Sequence, residues 1–571
     1  MHGRLKVKTT EEQQKAKQEE RAKKLKLYTA ATSKAFQKRK AGELDTELLE
    51  ITGQVLQVNP DFYTFWNIRK ETFLHLHDAK ESAELQKLYR GELEFLEMCL
   101  KVNPKSYGTW HHRSFVMDHM PQPDWARELE LCNLFLQFDE RNFHCWDYRR
   151  FVVKRSKVAA AEEFDFTTSK ISSNFSNFSS WHYRSKLLPI LHPDPTQPSG
   201  IAPDVIQSEF ELVQNGLYTD PDDQSNWFYH KWLLGRGEQN QKINYAYVSC
   251  VKKQILVSFT KALKIGVASC EVLLNKSKVN VTWTNQNGTS AFSTLWVGEL
   301  EGEGPDCLGK GDQDTQVEIQ VTQGEEQVCH HSLILPSGKE EATFQWQASD
   351  LSAHFRQVLC AVDEATLRRE LETVSELQEV ENTNKWAMLT VVLLMKSVDP
   401  VSYQERIISF LHQLQSLDST RNNYYCDLRS RFIIETALET SENLTSLKLK
   451  GQNLSSMSRT ELLPLLQDLD LSDNALKRTS GFSFLQRLQR LNLSGNQLTS
   501  CQGLAWLPCL TTLDLSNNSI PTVDKIKPLQ PCKQLSTLNL SGNPLCDDPC
   551  AADKLREILP GTEIQLLKED S

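Results

Sequence analysis

No apolar run in this 571-residue sequence is long enough to cross a bilayer. The longest nearly uncharged stretch, Trp386 to Met395, has half of the roughly 20 residues that a spanning helix needs. The opening MHGRLKVKTTEEQQ has no apolar stretch behind its basic residues, so no secretory signal is expected. No CxxC occurs among the fourteen cysteines, which are scattered and mostly sit inside apolar runs, as Cys99, Cys132 and Cys360 do. Disulfide frameworks belong to short secreted chains, so these read as buried thiols in the reducing cytoplasm. A complete set of metal ligands is also missing: there is no H-E-x-x-H, and His111 and His112 share a helix but not a face. Neither sign of charge is in large excess, with 64 basic and 74 acidic residues giving −10, and 39% hydrophobic content excludes a wholly disordered chain. Basic residues dominate only in residues 1–40, with thirteen Lys/Arg against four Glu; the remainder holds 51 against 70, which speaks against nucleic-acid binding.

What is present is repetition. A chain this long predicts three or four domains, and five of its twelve tryptophans fall in segments that align without gaps. The segments are NPDFYTFWNIR (59–69), NPKSYGTWHHR (103–113), DERNFHCWDYR (139–149), NFSNFSSWHYR (174–184) and DPDDQSNWFYH (220–230). Asn or Asp seven residues before the Trp is a turn-and-cap signal, and Arg or His follows three positions after it on the same helical face. Amphipathic runs such as Leu93 to Val102 lie between the copies. A two-helix unit of 35–46 residues cannot bury its face alone, so the copies predict an α-solenoid of stacked helical hairpins. The tryptophans are expected in the core, and Arg69, Arg113, Arg149 and Arg184 as structural bonds to carbonyls or carboxylates between repeats.

The differences between copies are more informative. Five residues before the Trp the series runs Asp61, Lys105, Arg141, Ser176, Asp222. Equivalent positions project along one edge of a solenoid, so Lys105 and Arg141 are expected to be neighbours, flanked by Tyr107, Asn142 and His144. Such a pair can hold an anion such as a diphosphate; the plainer reading is a solvated edge with surface cations.

These W-x-x-R copies, with NPKSYGTWHHR the sharpest, resemble the repeats of protein prenyltransferase α subunits. The resemblance covers about residues 50–235. It implies a crescent of helical hairpins around a β subunit that holds zinc, the lipid pocket and most of the protein-substrate groove. It also implies that Lys105 contacts the isoprenoid diphosphate, with Tyr107 two residues on and His144 of the next copy close to it. On that basis Lys105 is assigned to function.

From about residue 240 short alternating runs replace the helical period, among them Val279 to Trp283, Gln316 to Val321, Ser332 to Leu335 and Ala342 to Trp346. With turn signals at Asn287-Gly288 and Pro336-Ser-Gly338, they predict an antiparallel β-sandwich of immunoglobulin-like type. His330 and His331 would point to opposite faces of a strand and share no metal. Helical periodicity returns at Ala365–Val380, Trp386–Ser397 and Tyr403–Leu417, and Asn382 to Trp386 looks like a degenerate copy of the repeat. The sandwich is therefore read as an insertion.

Five C-terminal segments fit L-x-x-L-x-L-x-x-N-x-L, starting at Leu444, Leu466, Leu488, Leu510 and Leu535. They predict a leucine-rich repeat array closed by a capping helix over Asp553–Leu559, with Gln452 in place of the Asn in the first copy. The outward residues Lys448, Asp470, Asn492, Asp514 and Asn539 are mixed in charge and mark no ligand. The sequons Asn492-Leu-Ser and Asn539-Leu-Ser come from the repeat itself. The domains are accordingly set at 1–240 with 352–441, 241–351, and 442–571.

This order of modules resembles the type II branch of the prenyltransferase family, the α subunits of Rab geranylgeranyltransferases. That resemblance implies an enzyme active only with its β subunit, and a Rab escort protein that presents Rab GTPases. It implies that geranylgeranyl diphosphate is attacked at C1 by a cysteine thiolate on zinc, the zinc being held by the partner subunit. Lys105 would then offset charge on the leaving diphosphate, with Tyr107 and His144 assisting. His2, close to the basic start, can be read as reaching a partner's metal or as an unstructured terminus. The alternative from another class is a non-catalytic adaptor, which explains the repeats but not the N-P-K-x-Y copy.

Overall fold

The motif around each tryptophan ends one helix and starts the next. A computed structural model describes residues 11–235, 241–266, 268–301, 313–324, 326–356, 359–441 and 444–567; His2 and the boundary positions 240 and 442 lie outside the described residues. The chain forms two compact units, one to Pro193 and one from Asp194. In the first, α1 (Glu11–Ala41) precedes hairpins of α2 (Thr46–Val58) with α3 (Tyr63–Ala79), α4 (Ser82–Val102) with α5 (Tyr107–His119), α6 (Trp125–Phe138) with α7 (Phe143–Ser156), and α8 (Ala160–Ser173) with α9 (Phe178–Leu191). The first helix of each hairpin ends on Asn59, Asn103, Asp139 or Asn174, whose N–H bonds the carbonyl four residues back. Three residues later Ser106, Asn142 and Asn177 cap the second helix by accepting from its first turn, each cap stabilising it by about 1 kcal/mol. The buried Trp66, Trp110, Trp146 and Trp181 then donate their indole N–H to the carbonyl six residues earlier, at 2.7–2.8 Å.

A buried ionic ladder joins successive hairpins. Arg69 bonds Glu92 and the carbonyl of Leu49, and His112 lies 2.8 Å from the same Glu92. One hairpin on, Arg113 and the Tyr148 hydroxyl both bond Glu128 at 2.6 Å. Arg149 bonds Glu163 at 2.8 Å in the same way. Each carboxylate is held by an arginine of the preceding hairpin, and Glu92 and Glu128 also by a ring of their own hairpin. The recurrent arginines therefore do bond carbonyls and carboxylates between repeats. Removing one partner of such a pair leaves a buried charge, at a cost of about 3–5 kcal/mol.

The second unit begins with the hairpin α10 (Pro203–Thr219) and α11 (Gln224–Gly235), in which Trp227 donates to the Pro221 carbonyl at 2.8 Å. The chain then leaves for eight strands and returns: the Ala361 N–H bonds the Leu234 carbonyl at 3.0 Å. After α12 (Ala348–Arg356) come α13 (Glu364–Val380), α14 (Lys385–Val398), α15 (Gln404–Leu417) and α16 (Asn422–Thr440). His230 on α11 lies 2.9 Å from the buried Glu370 on α13. Asn384 caps α14 and donates to the Pro221 carbonyl at 2.9 Å, as Asn142 donates to that of Pro104. The strands are thus an insertion in a helical-hairpin series. In the degenerate copy the buried Met388, four residues after the cap, takes the place of the tryptophan. Trp386 sits two positions too early for that role.

The inserted strands are β1 (Ile243–Ser249), β2 (Gln254–Leu263), β3 (Ser269–Leu274), β4 (Ser277–Asn285), β5 (Ser293–Glu301), β6 (Thr315–Gln323), β7 (Glu326–Leu335) and β8 (Glu341–Gln345). They form one antiparallel sheet, in the order β7-β6-β3-β4-β5-β2-β1-β8. The two expected layers are joined because β4 serves both: Ser277–Val279 pairs with β3 and Asn280–Asn285 with β5. The sheet curls until His331 on β7 stacks on Phe344 of β8, with ring centroids 3.7 Å apart, so it approaches a barrel. β1 is buried at every position rather than alternately. Its outer face, Tyr245 and Tyr247, packs with Leu256 against Leu465 of the leucine-rich array. Arg487 covers the Tyr247 ring at 4.7 Å and bonds Glu341 at 3.2 Å.

The array itself is a parallel sheet of β9 (Ser446–Lys448), β10 (Asp468–Asp470), β11 (Arg490–Asn492), β12 (Thr512–Asp514), β13 (Thr537–Asn539) and β14 (Glu563–Gln565). Leu447, Leu469, Leu491, Leu513 and Leu538 are buried in register. Asn496 shows the role of the motif asparagine: it donates to the carbonyls of Leu471 and Leu493 and accepts from the Leu476 N–H, at 2.9–3.0 Å. A capping helix, α17 (Ala551–Ile558), follows, but the chain then adds β14 in register with β13. That strand lacks the motif asparagine and was not read from the sequence.

Candidate functional site

The site expected at the edge of the tryptophan hairpins begins with a difference between two seams. Where the first two hairpins of the first unit meet, Asn103 donates its amide to Asp61 at 3.0 Å and accepts the Lys105 N–H at 3.1 Å. At the next seam the polarity is reversed. Lys105 Nζ lies 3.0 Å from Asp139 Oδ2, while Asp139 Oδ1 accepts the Arg141 N–H at 3.1 Å. Lys105 and Arg141 therefore meet at one carboxylate, Lys105 through its ammonium and Arg141 through its backbone. The Lys105 side chain is 64% exposed, on a turn whose backbone the Asn103 bond fixes.

Tyr107 opens α5 two residues on and is 68% exposed. Its ring meets His144 edge-on, centroids 4.1 Å apart, and Phe143 lies 6.0 Å away. His144 is nearly buried at the start of α7, where Asn142 accepts its N–H at 3.2 Å and donates to the Pro104 carbonyl next to Lys105. Burial lowers the His144 pKa below the usual histidine value; Asp147 opposes this, and the Lys105 charge lowers it further. The imidazole is therefore neutral at pH 7 and offers one donor and one acceptor. The structure thus brings the three residues expected from the sequence, Lys105, Tyr107 and His144, onto one edge of α5 and α7. An exposed cation, a phenol and a neutral imidazole in this arrangement suit a multiply charged anion.

Two contributors were not read from the sequence. Asn103 sets the backbone of Lys105, and Asp139 holds its ammonium. The available signal was that Asp139 is a carboxylate where the copies before and after it have Asn103 and Asn174.

The other candidates are structural. His112 donates inside the ladder, and His111 faces Lys70 Nζ at 2.8 Å, away from it. On the leucine-rich array Asp470, Asn492, Asp514 and Asn539 accept the N–H two residues on, at 2.9–3.1 Å, so these outward residues shape turns. Among the described residues no three His, Cys, Asp or Glu are placed to hold a metal. No described helix is long and apolar enough to cross a membrane.

Comparison with known proteins agrees with these elements. Residues 89–120, 125–156, 160–191 and 206–237 match the protein prenyltransferase alpha subunit repeat. Residues 243–350 match the insert domain of the Rab geranylgeranyl transferase alpha subunit, and 445–558 match a leucine-rich repeat. The copy around Trp66 falls outside the matched repeats, yet it makes the same indole bond. The geranylgeranyl transferase type-2 alpha subunit of Bos taurus is 44% identical over 569 residues, covering 98% of this chain and 99% of that protein. The Homo sapiens subunit is 44% identical over 570 residues with the same coverage. The Dictyostelium discoideum subunit is 42% identical over 251 residues, 43% of this chain and 79% of its own length. With two full-length relatives at this identity and the insert domain of the same subunit, the chain belongs to the α subunits of type-2 geranylgeranyl transferase, the Rab geranylgeranyltransferases.

Proposed function

We propose that Lys105 is the residue through which this α subunit acts on geranylgeranyl diphosphate, with Tyr107 and His144 beside it. The observation that carries the reading is the gathering of these three side chains from two hairpins onto one edge. In the transfer a cysteine sulfur forms a bond to C1 of the isoprenoid, the C1–O bond breaks, and the electron pair leaves with the diphosphate. Zinc on the β subunit supplies the deprotonated thiolate when bound. The work of this chain is electrostatic: the Lys105 ammonium offsets the charge that grows on the leaving diphosphate. The Tyr107 hydroxyl can donate to an oxygen of that group, and the neutral His144 supports the tyrosine ring from below without adding charge.

The partners that go with this reading are the β subunit, a Rab escort protein and Rab GTPases with C-terminal cysteines. The compartment is the cytoplasm, in keeping with the free thiols of Cys99, Cys132, Cys145, Cys501 and Cys532, all buried. Co-expression with a β-type subunit, followed by transfer of labelled geranylgeranyl to a Rab protein, tests the reading. Lys105→Ala is expected to lower the single-turnover rate by about 10²–10³ with unchanged heterodimer yield, the size seen for one preorganised donor. An unchanged rate removes Lys105 from the mechanism. Failure of any β-type subunit to associate would favour an adaptor.

A further inference from the structure

Among the four copies of the first unit Asp139 is set apart by its chemistry; the fifth copy, in the second unit, also carries an aspartate, Asp220, with Ser176 rather than a lysine at the position that corresponds to Lys105. The residue seven before each tryptophan ends the first helix of its hairpin, and in the first unit it is Asn59, Asn103 and Asn174 in the other copies. Asn103 gives its amide to an acid, Asp61, at 3.0 Å. Only where the facing residue is a lysine does a carboxylate replace the amide among these four copies, and there the bond is Lys105 Nζ to Asp139 Oδ2 at 3.0 Å. Acceptor and donor have changed places together.

The carboxylate is also fixed more firmly than a surface acid. Its backbone N–H bonds the Phe135 carbonyl at 3.1 Å, its own carbonyl takes the Asn142 N–H at 3.1 Å, and Oδ1 accepts the Arg141 N–H at 3.1 Å. One oxygen is thus held by the turn, and the other is left to the lysine. Lys105 has the opposite character: a long, flexible stem, 64% exposed, that spreads over many rotamers when nothing holds its end.

We propose that Asp139 is a positioning residue for the transfer reaction, holding the Lys105 ammonium at the seam in the place where the diphosphate leaves. This rests on the assignment of Lys105 to the diphosphate. An exposed ion pair adds little to folding, so the effect of Asp139 falls on the geometry of the lysine and not on the stability of the hairpins. Its charge also offsets part of the ammonium's, so removing it acts against the loss of position.

Asp139→Asn is the discriminating variant. The amide oxygen keeps the Arg141 bond, the residue is the one neighbouring copies use, and only the acceptor for Lys105 is lost. The full chain in its heterodimer is measured by single-turnover geranylgeranyl transfer and by equilibrium binding of geranylgeranyl diphosphate. The rate is expected to fall about tenfold, as for a misplaced catalytic group, with affinity changed less than about twofold. In a Lys105→Ala background the same substitution is expected to do nothing further, because both act through one ammonium. A wild-type rate for Asp139→Asn beside a slow Lys105→Ala overturns the positioning role alone. An equal fall from Asp139→Asn in both backgrounds also overturns it, by showing that the effect bypasses the lysine. A wild-type rate for Lys105→Ala removes the assignment of Lys105 itself, and the role of Asp139 falls with it.

Discussion

The tryptophan hairpins and the leucine-rich copies each bury one residue type at fixed spacing, yet they treat their polar groups differently. In the leucine-rich array the motif asparagines bond backbone only, and the last four copies repeat the same set: Asn474, Asn496, Asn518 and Asn543 each reach two or three carbonyls. In the hairpins side chain meets side chain across each seam, and the partners change from seam to seam. Asp61 faces Asn103, and Lys105 faces Asp139. A scaffold held by backbone leaves its copies alike, whereas one joined through side chains can vary one seam without disturbing the others. The candidate site lies at such a variation.

The largest effect expected from this contrast is on the buried ladder. Glu128→Gln strips the charge that Arg113 and Tyr148 share, and is expected to destabilise the first unit by about 3–5 kcal/mol in chemical denaturation followed by tryptophan fluorescence. A loss below 1 kcal/mol would mean that the ladder is ornamental. Asn496→Ala in the leucine-rich array removes neutral bonds only, and about 2–3 kcal/mol is expected by the same measurement. If the two substitutions cost the same, the distinction between side-chain and backbone scaffolds fails.

A smaller effect comes with pH. Burial pushes Glu92 up, but Arg69 and His112 outweigh it and hold the carboxyl down at about 2. Burial lowers His112, which is neutral in the fold and donates from Nε2. Both groups bind protons more readily in the unfolded chain. Stability is therefore full above the unfolded histidine value of about 6.5; it declines below that as His112 protonates on unfolding, and again below about 4.3 as Glu92 does. His112→Gln keeps a donor to Glu92 but does not titrate, so the loss between pH 7 and pH 5 is expected to shrink. An unchanged slope would place the acid sensitivity elsewhere. Smallest of all, Lys105→Ala is expected to shift folding stability by no more than about 0.5 kcal/mol, as exposed positions do.

The same contrast explains what was legible in the sequence. Tryptophans, caps and leucines recur at nearly constant spacing, so both arrays and the edge that bears Lys105, Tyr107 and His144 can be read directly. The acids of the ladder cannot: Glu92 is 23 residues from Arg69, Glu128 is 15 from Arg113, and Glu370 is 140 from His230. The first helices of the hairpins differ in length and one seam is interrupted by the insertion, so no period marks these partners. Asp139 escaped for a related reason, since its meaning depends on what lies across the seam and not on its own neighbours. In the insertion β4 looks like any alternating strand, and only pairing shows that its two halves serve different neighbours.

On this reading chemistry sits at one seam and the equivalent positions elsewhere are scaffold. It is tested most directly by single-turnover geranylgeranyl transfer for alanine at each position five residues before the tryptophan: Asp61, Lys105, Arg141, Ser176 and Asp222. The rate of Lys105→Ala is expected to fall by about 10²–10³, and those of the other four to stay within about threefold of the unsubstituted chain. Comparable falls at several of these positions, or a fall at Arg141 with Lys105→Ala unaffected, would contradict it.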